Sequence, residues 1–263
     1  MPRWSGKQSC APQQGVVVCT ATNLELMILH PGTPAAKLAR HAFFAGAPPE
    51  VLGRLNGHVR SLDADPDRII LDFEDSTTDV YFIVQGHVRV LVQTADGGRT
   101  QILGDFAAGD IVGEMAAIDG VPRSARIEAL VRTQMYSLPA RAFHDAVFAS
   151  RDLGLRLMRL LTSRIRAQNR RILEMTALPI RLRLLAELLR LSRPKPDGTR
   201  ILNPVPTQEE LAWRIGARRE TISREISALA AVGLIERTRV SLILPDPMAL
   251  QAAVDSVLDR PRH

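Results

Sequence analysis

The sequence has few cysteines and no recognisable metal-ligand motif, and both shortages exclude classes of function. Cys10 and Cys19 are its only cysteines, which is too few for a disulfide framework or a four-cysteine iron–sulfur site. The six histidines are scattered without ligand spacing, so a haem or redox sensor is disfavoured and no metal is expected. A reducing, cytoplasmic compartment fits this cysteine usage.

The sequence also lacks a long uninterrupted apolar run. Residues 15–29 form an apolar stretch, but Asn23 and Glu25 interrupt it and no small-residue cleavage site follows. The stretch therefore predicts neither a signal peptide nor a membrane span. Residues 1–35 instead have the character of a poorly ordered extension, and Met27 is an alternative start.

Aromatic residues are scarce where basic residues are abundant. Residues 1–150 hold 13 basic and 16 acidic side chains, whereas residues 151–263 hold 21 and 12, so the two halves carry −3 and +9. A basic half favours a polyanionic partner, with nucleic acid ahead of an anionic membrane. Only Trp213 supplies an aromatic ring there, and helices that bind membrane surfaces need bulky aromatics, so no membrane partner is expected. With 263 residues, 46% of them hydrophobic, the chain favours two domains over one.

A heptad pattern runs through the segment from Leu155 to Met175. Its seam residues alternate in spacings of three and four: Met158, Leu161, Ile165, Gln168, Ile172 and Met175. This pattern predicts a parallel homodimer helix, and a plain buried core helix is the alternative. A second apolar stripe, Leu153, Leu157 and Leu160, is expected to pack on the N-terminal domain. Gln168 is the one polar seam residue, which fixes the register or faces a ligand.

Between residues 68 and 138, short apolar segments alternate with turns, a pattern typical of a barrel or jelly roll. Strands are predicted at 69–73, 80–84, 87–92, 101–106, 124–130 and 134–138, after a short helical entry at 35–60. Asp96-Gly97-Gly98 predicts a hairpin turn between two of the strands.

One segment inside this β region has a different character. It runs from Gly113-Glu114-Met115 to Arg123-Ser124-Ala125 and contains one predicted helical turn, Met115 to Ile118. Backbone amides after the glycine can hold an anion, Arg123 can close on a phosphate, and Glu114 can accept from a sugar hydroxyl. Taken singly, a Gly-Glu pair is common and Arg123 can pair with any surface carboxylate. The pattern alone therefore leaves open whether the segment binds an anionic ligand or is an ordinary surface segment.

The C-terminal half contains the signals of a helix-turn-helix. An apolar helix is predicted at 180–191, followed by a Pro/Gly-rich break at 193–198. Thr207 and Glu210 form a capping box, where a new helix begins and runs to about Gly216, and the next helix begins near Arg219. Ala212, Gly216 and Ile222 have the spacing of two helices that touch across a tight turn.

The exposed face of that second helix carries Arg219, Glu220, Ser223 and Arg224. Arg can bond guanine bidentately and Glu can accept from cytosine N4, so this face can read bases in a major groove. The alternative is a solvated face on which Glu220 and Arg224 pair with each other. Two short strands around Arg237-Thr238-Arg239 are expected to form a wing that touches phosphate.

Two of these motifs resemble one known family. The segment from Gly113 to Ala125 resembles the phosphate-binding cassette of cyclic-nucleotide-binding domains, and the run from Arg219 to Arg224 resembles the recognition helix of the catabolite activator and fumarate–nitrate regulator (CRP/FNR) superfamily. The resemblance implies an α+β fold with an N-terminal β-roll, a long dimerisation helix and a C-terminal winged helix-turn-helix. The implied parts are an extension (1–35), a cyclic-nucleotide-binding β-roll (36–150), a dimerisation helix (151–178) and a DNA-binding domain (179–255).

The resemblance also implies residue roles in a nucleotide site. Glu114 is expected to accept the ribose 2′-hydroxyl, Arg123 and Arg164 to hold the cyclic phosphate, and the amides of the spine helix to meet the base. The implied ligand residues are Gly113, Glu114, Met115, Arg123, Ser124, Ala125, Arg164, Gln168 and Asn169. The ligand expected is cAMP, with cGMP second.

For DNA the resemblance implies a TGTGA-like inverted repeat, read by Arg219 and Arg224 on guanine and Glu220 on cytosine. The implied DNA-binding residues are Thr207, Arg218, Arg219, Glu220, Ser223, Arg224 and Arg239. Arg218 stands where relatives often place a serine cap, so helix capping is in doubt there and an extra phosphate contact is expected. The partners implied are double-stranded DNA, a second copy of the chain and RNA polymerase.

The function predicted is therefore a homodimeric transcription regulator under cyclic-nucleotide control. The alternative within the superfamily is a regulator that has lost nucleotide binding and is constitutive or responds to another effector. An enzyme is disfavoured, because the sequence contains no nucleophile–base pair, Walker loop or metal motif.

Overall fold

A computed structural model of the chain describes residues 33–94 and 100–258. The predictions for Met27, for residues 1–32 of the N-terminal extension and for the Asp96-Gly97-Gly98 turn concern residues outside these ranges. The strands on either side of that turn do pair with each other in antiparallel register. The last residues assigned to the extension are ordered instead, because a helix begins at Pro34 with Thr33 as its cap.

The N-terminal unit is a β-roll of two four-stranded antiparallel sheets. Its strands are β1 (Arg60–Ala64), β2 (Ile69–Leu71), β3 (Val80–Gln85), β4 (His87–Gln93), β5 (Thr100–Ala107), β6 (Ile111–Val112), β7 (Arg126–Ala129) and β8 (Thr133–Leu138). The sheet orders are β1-β8-β3-β6 and β2-β7-β4-β5. Ile83, Met135, Val88 and Ile127 come from opposite sheets and pack together in one buried cluster, so the core lies between the sheets.

Four short helices pack against one face of the β1-β8-β3-β6 sheet. They are α1 (Pro34–Leu38), α2 (Pro49–Arg54), α3 (Glu114–Asp119) and α4 (Ala140–Ala149), with a 3-10 turn at Ala42–Phe44. Phe44 and Phe82 approach to 5.1 Å between ring centroids, and Phe43 and Phe143 to 5.8 Å. These rings form a second buried core, under the helices.

The spine helix α5 (Arg151–Ala177) begins at the side-chain cap of Ser150 and ends before Pro179. Leu178 is extended, as expected of a residue that precedes proline. Leu153 is fully buried, and Leu157 and Leu160 pack on the same N-terminal core. The prediction that this second stripe covers the N-terminal domain is therefore confirmed.

The C-terminal unit is a winged helix-turn-helix. Its elements are α6 (Ile180–Leu191), β9 (Arg193–Pro194), β10 (Arg200–Leu202), α7 (Gln208–Ile215), α8 (Arg219–Ala231), β11 (Glu236–Arg237), β12 (Leu242–Leu244) and α9 (Pro247–Leu258). The four strands form one sheet in the order β11-β12-β10-β9. The capping box of Thr207 and Glu210 is present, and Gly216 ends α7 at φ +65°, as the sequence predicts.

One feature of this unit was not predicted. The segment taken as a Pro/Gly-rich break is a hairpin in which β9 pairs with β10. Pro194 is tolerated because β9 is the edge strand of its sheet, so the outer side of the strand has no neighbour that needs a backbone N–H donor.

Over the described ranges, no helix is long and apolar enough to cross a bilayer.

Candidate nucleotide pocket and nucleic-acid interface

A cavity of about 630 Å³ lies between the β-roll and α5. Its wall contains all nine residues predicted to bind ligand: Gly113, Glu114, Met115, Arg123, Ser124, Ala125, Arg164, Gln168 and Asn169. Six come from α3 and the segments that flank it, and three come from the spine helix. The fold thus brings together residues that lie up to fifty-six positions apart in the sequence.

Gly113 is required by the geometry of the cavity wall. Its φ of +80° belongs to the left-handed region, which glycine occupies without strain. A Cβ atom there would stand 2.8 Å from Nη1 of Arg123 and 3.0 Å from the carbonyl oxygen of Asp79. The position therefore excludes a side chain for two independent reasons.

Arg123 is a buried cation that the backbone holds in place. Its Nη1 donates to the carbonyl of Gly113 and its Nη2 to that of Asp79, both at 2.8 Å, while Nε donates to the hydroxyl of Thr77 at 3.2 Å. These bonds use three of the five N–H groups of a guanidinium. Burial lowers the pKa of Arg123, but arginine stays charged in proteins. The two remaining donors suit the oxygens of a phosphate.

Glu114 and Arg164 form an ion pair across the cavity. Glu114 is 2% exposed, and the other guanidinium nitrogen of Arg164 donates to the carbonyl of Ile111 at 2.5 Å. The Arg164 guanidinium also lies 4.9 Å from the ring centroid of Phe106. The sequence predicts separate roles for these two side chains, on ribose and on phosphate, whereas the structure pairs them.

An apolar wall completes the cavity, and most of it was missed by sequence reasoning. The additional apolar lining residues are Leu71, Val90, Leu103, Phe106, Val112, Ala116, Ile127, Leu161, Ile165 and Ala167. Leu161 and Ile165 were assigned only to the helix seam, and none of the strand residues was predicted to line a ligand site. Alternation along β4 and β5 could have separated cavity-facing from outward-facing residues, but it does not show which face meets a ligand.

Gln168 and Asn169 stand at the edge of the cavity on α5, and both are exposed. Gln168 lies both on the seam and on the cavity wall, so its two predicted roles, fixing the register of the dimer and facing a ligand, are compatible in space. Ser124 is exposed too, and its hydroxyl contacts the sulfur of Met115 at 4.0 Å.

The predicted DNA-reading side chains lie on three neighbouring parts of the C-terminal unit. Thr207 begins α7, the set from Arg218 to Arg224 occupies the start of α8, and Arg239 lies between β11 and β12. Ile222, Ile226 and Leu229 bury the opposite face of α8. Arg218 is the N-cap residue and makes no side-chain capping bond, as expected from its departure from serine.

Arg219, Glu220 and Arg224 are exposed, and Ser223 is half-buried. Among the ion pairs of the described residues none joins Glu220 to Arg224. The alternative, in which Glu220 and Arg224 pair with each other, is therefore not observed, and these three charged groups are available to a partner.

In the parts of the chain the structure describes, no cluster of three or more His, Cys, Asp or Glu side chains could hold a metal ion.

Two family profiles match the chain and together span more than half of it. A cyclic nucleotide-binding domain matches residues 62–150, and a Crp-like helix-turn-helix domain matches residues 182–253. These matches cover the unit that holds the cavity cassette and the unit that carries the charged face of α8.

Curated relatives agree with both matches. The chain is 24% identical over 212 residues to a CRP-like cAMP-activated global transcriptional regulator of Mycobacterium tuberculosis, covering 80% of this chain and 94% of that protein. It is 27% identical over 168 residues to the cAMP-activated global transcriptional regulator CRP of Haemophilus influenzae, covering 62% and 73%.

Solved structures share the fold. A CooA mutant from Carboxydothermus hydrogenoformans aligns with a TM-score of 0.64 at 22% identity, over 75% of this chain and 88% of that one. FixK2 from Bradyrhizobium japonicum aligns with a TM-score of 0.64 at 20% identity, over 78% and 99%.

Proposed function

The chain belongs to the CRP/FNR family of transcription regulators, and from that premise we propose that it is a homodimer whose DNA binding is controlled by a cyclic nucleotide. The nucleotide proposed is cAMP, with cGMP second. The operator proposed is a TGTGA-like inverted repeat. Family membership makes the chain a regulator rather than an enzyme, and an operator-bound regulator is expected to meet RNA polymerase.

The observation that carries this proposal is the charge arrangement inside the cavity. Arg123 has donors left for a phosphate after its carbonyl partners are satisfied. Arg164 adds a second cation beside its partner Glu114, and the remaining lone pairs of the Glu114 carboxylate can accept from a ribose hydroxyl. A volume of about 630 Å³ is in the range of small-molecule sites.

The apolar wall and the spine amides are the groups proposed to meet the base. Gln168 and Asn169 each offer a donor and an acceptor, which can bond the edge of adenine or guanine. The geometry therefore leaves both purines acceptable. Relatives named as cAMP-activated favour adenine.

The dimer is supported by the exposed seam of α5. Met158, Ile165 and Ile172 recur every seven residues and are 57%, 60% and 60% exposed. Large apolar side chains in one continuous stripe on a helix mark an interface. A second copy of α5, running parallel, would bury them.

DNA reading is supported by the free charges on α8. Arg219 and Arg224 present guanidinium groups suited to guanine O6 and N7, and Glu220 an acceptor suited to cytosine N4. Thr207, Arg218 and Arg239 flank them and are proposed to contact phosphates. Two such units in a dimer would read two half-sites about one helical turn apart.

A titration and a gel shift test the proposal together. Calorimetry with cAMP and with cGMP should give binding heat, and binding to a TGTGA inverted repeat should tighten when the nucleotide is added. A scrambled duplex of equal length is the control. No heat from either nucleotide, with DNA binding indifferent to both, would support the rival regulator that has lost nucleotide binding.

A further inference from the structure

The first helix of the helix-turn-helix rests on the β-roll through a group of ion pairs. Nη1 of Arg89, on β4, lies 2.5 Å from Oε1 of Glu210 in the first turn of α7. The same guanidinium holds Asp105, on β5, with 2.9 and 3.2 Å bonds to its two oxygens. Asp105 is also paired with Arg214 near the end of α7. We refer to Arg89, Asp105, Glu210 and Arg214 as the seat.

The end of α7 is held a second time through its backbone. The carbonyl of Arg214 accepts from Nε2 of Gln101 on β5 at 3.0 Å and from Nη2 of Arg171 on α5 at 2.5 Å. Arg171 also donates to the carbonyl of Ile102 on β5 at 3.2 Å. The last carbonyls of a helix have no partner within the helix, so these donors satisfy one and fix its position.

The two arginines of the seat are buried, so the seat is a buried interface and not a solvent-exposed surface contact. The side chains of Arg89 and Arg214 are 9% and 4% exposed. Charges this buried are tolerated only when paired and hydrogen-bonded. Burial alone lowers the pKa of Arg89, yet its bonds to Asp105 and Glu210 raise that pKa above the usual value. Desolvation is likewise overcome at Asp105 and Glu210, whose pKa values are lowered by the arginines.

The groups proposed to meet DNA stay accessible while the seat is formed. Thr207, Arg219, Arg224 and Arg239 are all exposed in this arrangement. The seat therefore does not occupy the DNA-facing surface. It fixes α7, and α7 in turn packs on α8 through Leu211, Ile215 and Ile222 in the core of the C-terminal unit.

We propose that Arg89 and Asp105 of the β-roll are positioning residues for DNA reading, which seat α7 so that the two recognition helices of a dimer have the spacing of an inverted repeat. This inference rests on the proposed function. Without the seat, the described contacts that join the C-terminal unit to the β-roll are the bond from Gln101 to the carbonyl of Arg214, the contacts of α5 and the Leu178-Pro179 junction. Ordering two freed units on one duplex costs conformational entropy, so affinity for the paired site falls.

The seat also lies on the strand that forms the cavity wall. Leu103 and Phe106 of β5 line the cavity, while Gln101, the carbonyl of Ile102 and Asp105 of the same strand contact α7 or its neighbours. A ligand that contacts β5 would therefore touch the strand that also carries Asp105 of the seat. This strand connects the cavity to α7 separately from the spine helix.

The test uses Glu210→Gln, which removes the charge that pairs with Arg89. Glutamine still serves at this position of a capping box, so the start of α7 is preserved. Glu209→Gln is the matched control, because it makes the same charge change in the same turn at an exposed residue for which the described residues supply no ion pair. Arg89→Gln attacks the same contact from the β-roll side.

Affinity is measured by fluorescence anisotropy with saturating cAMP, on the full inverted repeat and on a single half-site duplex. Glu210→Gln and Arg89→Gln should lower affinity for the inverted repeat about tenfold, the equivalent of about 1.4 kcal/mol. Half-site affinity should stay within twofold, since each recognition helix is intact. Glu209→Gln should match the wild type on both duplexes.

Hydrogen exchange of the amides in residues 208–216 gives a readout without DNA, and exchange there should be faster in Glu210→Gln than in Glu209→Gln. Equal behaviour of these two variants, on DNA and in exchange, would overturn the proposal. Equal losses on the half-site and the inverted repeat would also overturn it, because the seat would then only stabilise the fold. A wild type with no preference for the inverted repeat would contradict the proposed function, while the exchange measurement would still decide whether the seat holds α7.

Discussion

Gly113 and Arg123 depend on each other, because the missing side chain of one leaves room for the guanidinium of the other. The carbonyl of Gly113 also accepts from Arg123 at 2.8 Å. A buried cation without partners is costly, and the bonds of Arg123 hold its guanidinium in place while leaving two N–H groups for a ligand. At the residue scale, the cassette therefore works through backbone carbonyls that aim one guanidinium into the cavity.

Gly113→Ala should abolish or strongly weaken nucleotide binding. A new Cβ would stand 2.8 Å from Nη1 of Arg123 and push the guanidinium out of place, which should cost at least tenfold in cAMP affinity, or about 1.4 kcal/mol. Gly120→Ala is the matched control, because its φ is +71° but its Cβ would meet nothing within 4 Å. Both variants carry about 1–2 kcal/mol of left-handed strain. Calorimetry that shows equal affinities for the two variants would contradict this role for Gly113.

Arg219→Ala and Arg239→Ala should weaken DNA binding in different ways. Loss of Arg219 should relax preference at one base pair of each half-site by about 1–3 kcal/mol, because a bidentate base contact is removed. Loss of Arg239 should weaken all sequences evenly and reduce the slope of log affinity against log salt by about 1 per wing. Binding to a panel of single-substitution operators checks both. If both variants lose affinity with no change of preference, the division between base and phosphate contacts is wrong.

At the scale of elements, α5 serves three partners: one face packs on the β-roll and, further along the helix, lines the cavity, and the seam lies beside that face. Leu153, with its neighbours in the same stripe, packs on the β-roll, Arg164 lines the cavity, and Ile172 belongs to the exposed seam. A helix turns about 100° per residue, so Leu153 and Arg164 lie about 20° apart on one face, whereas Ile172 lies about 80° to 100° away from both. This arrangement lets one rigid element join ligand, partner copy and DNA-binding unit.

Ile172→Glu should shift the protein from dimer to monomer. The change places one charge per copy in the seam, and the lost apolar burial alone amounts to at least about 3 kcal/mol per dimer. Ile172 does not line the cavity, so nucleotide contacts of the monomer stay in place. Sedimentation equilibrium over a range of concentrations measures the shift.

Leu173→Glu is the control on the same helix, since Leu173 is 40% exposed and lies off the heptad seam. It should leave the dimer unchanged. A wild type that is monomeric at every concentration, with or without nucleotide and operator, would remove the dimer from the proposal altogether.

At the scale of the whole molecule, the described hydrogen bonds and ion pairs between the β-roll and α7 are made by charged and polar groups. Arg89 and Asp105 come from one unit, and Glu210 and Arg214 from the other. Ion pairs are more directional than apolar contacts, so they specify one orientation between the units. This suits a regulator in which the distance between two DNA-reading helices matters.

Acid should weaken the joining of the two units. Burial alone would raise the pKa values of Glu210 and Asp105, but Arg89 and the amide of Thr207 lower that of Glu210 below its usual 4.5, and Arg89 and Arg214 lower that of Asp105 below its usual 3.8. Groups with a lowered pKa in the folded state contribute stability that is fully present above the unfolded value and is lost as the pH falls through the folded value. The contribution of Glu210 is therefore complete above about pH 4.5 and declines below it.

Urea unfolding between pH 7 and pH 3 measures this dependence. The free energy of unfolding of Glu210→Gln should fall less steeply with acid than that of the wild type, and that of Glu209→Gln should follow the wild type more closely. Parallel curves for the wild type and Glu210→Gln would show that the Glu210 carboxylate does not contribute.

The sequence determined the parts whose signals are local. The capping box of Thr207 and Glu210 is formed as predicted, since its donors and acceptors lie within one helical turn. The spine follows from a seven-residue repeat that a helix must express as one stripe. The strand β1 and the β9–β10 hairpin were missed, because the first is largely polar and exposed and the second is proline-rich.

Tertiary structure decided which distant charges meet. Arg164 pairs with Glu114 across 50 positions of sequence, and Arg89 with Glu210 across 121. No periodicity or spacing encodes such pairs, because they depend on how the sheets, the spine and the C-terminal unit pack together. The sequence supplies the charged groups. Which of them pair is decided only by the tertiary structure, because folding buries them side by side.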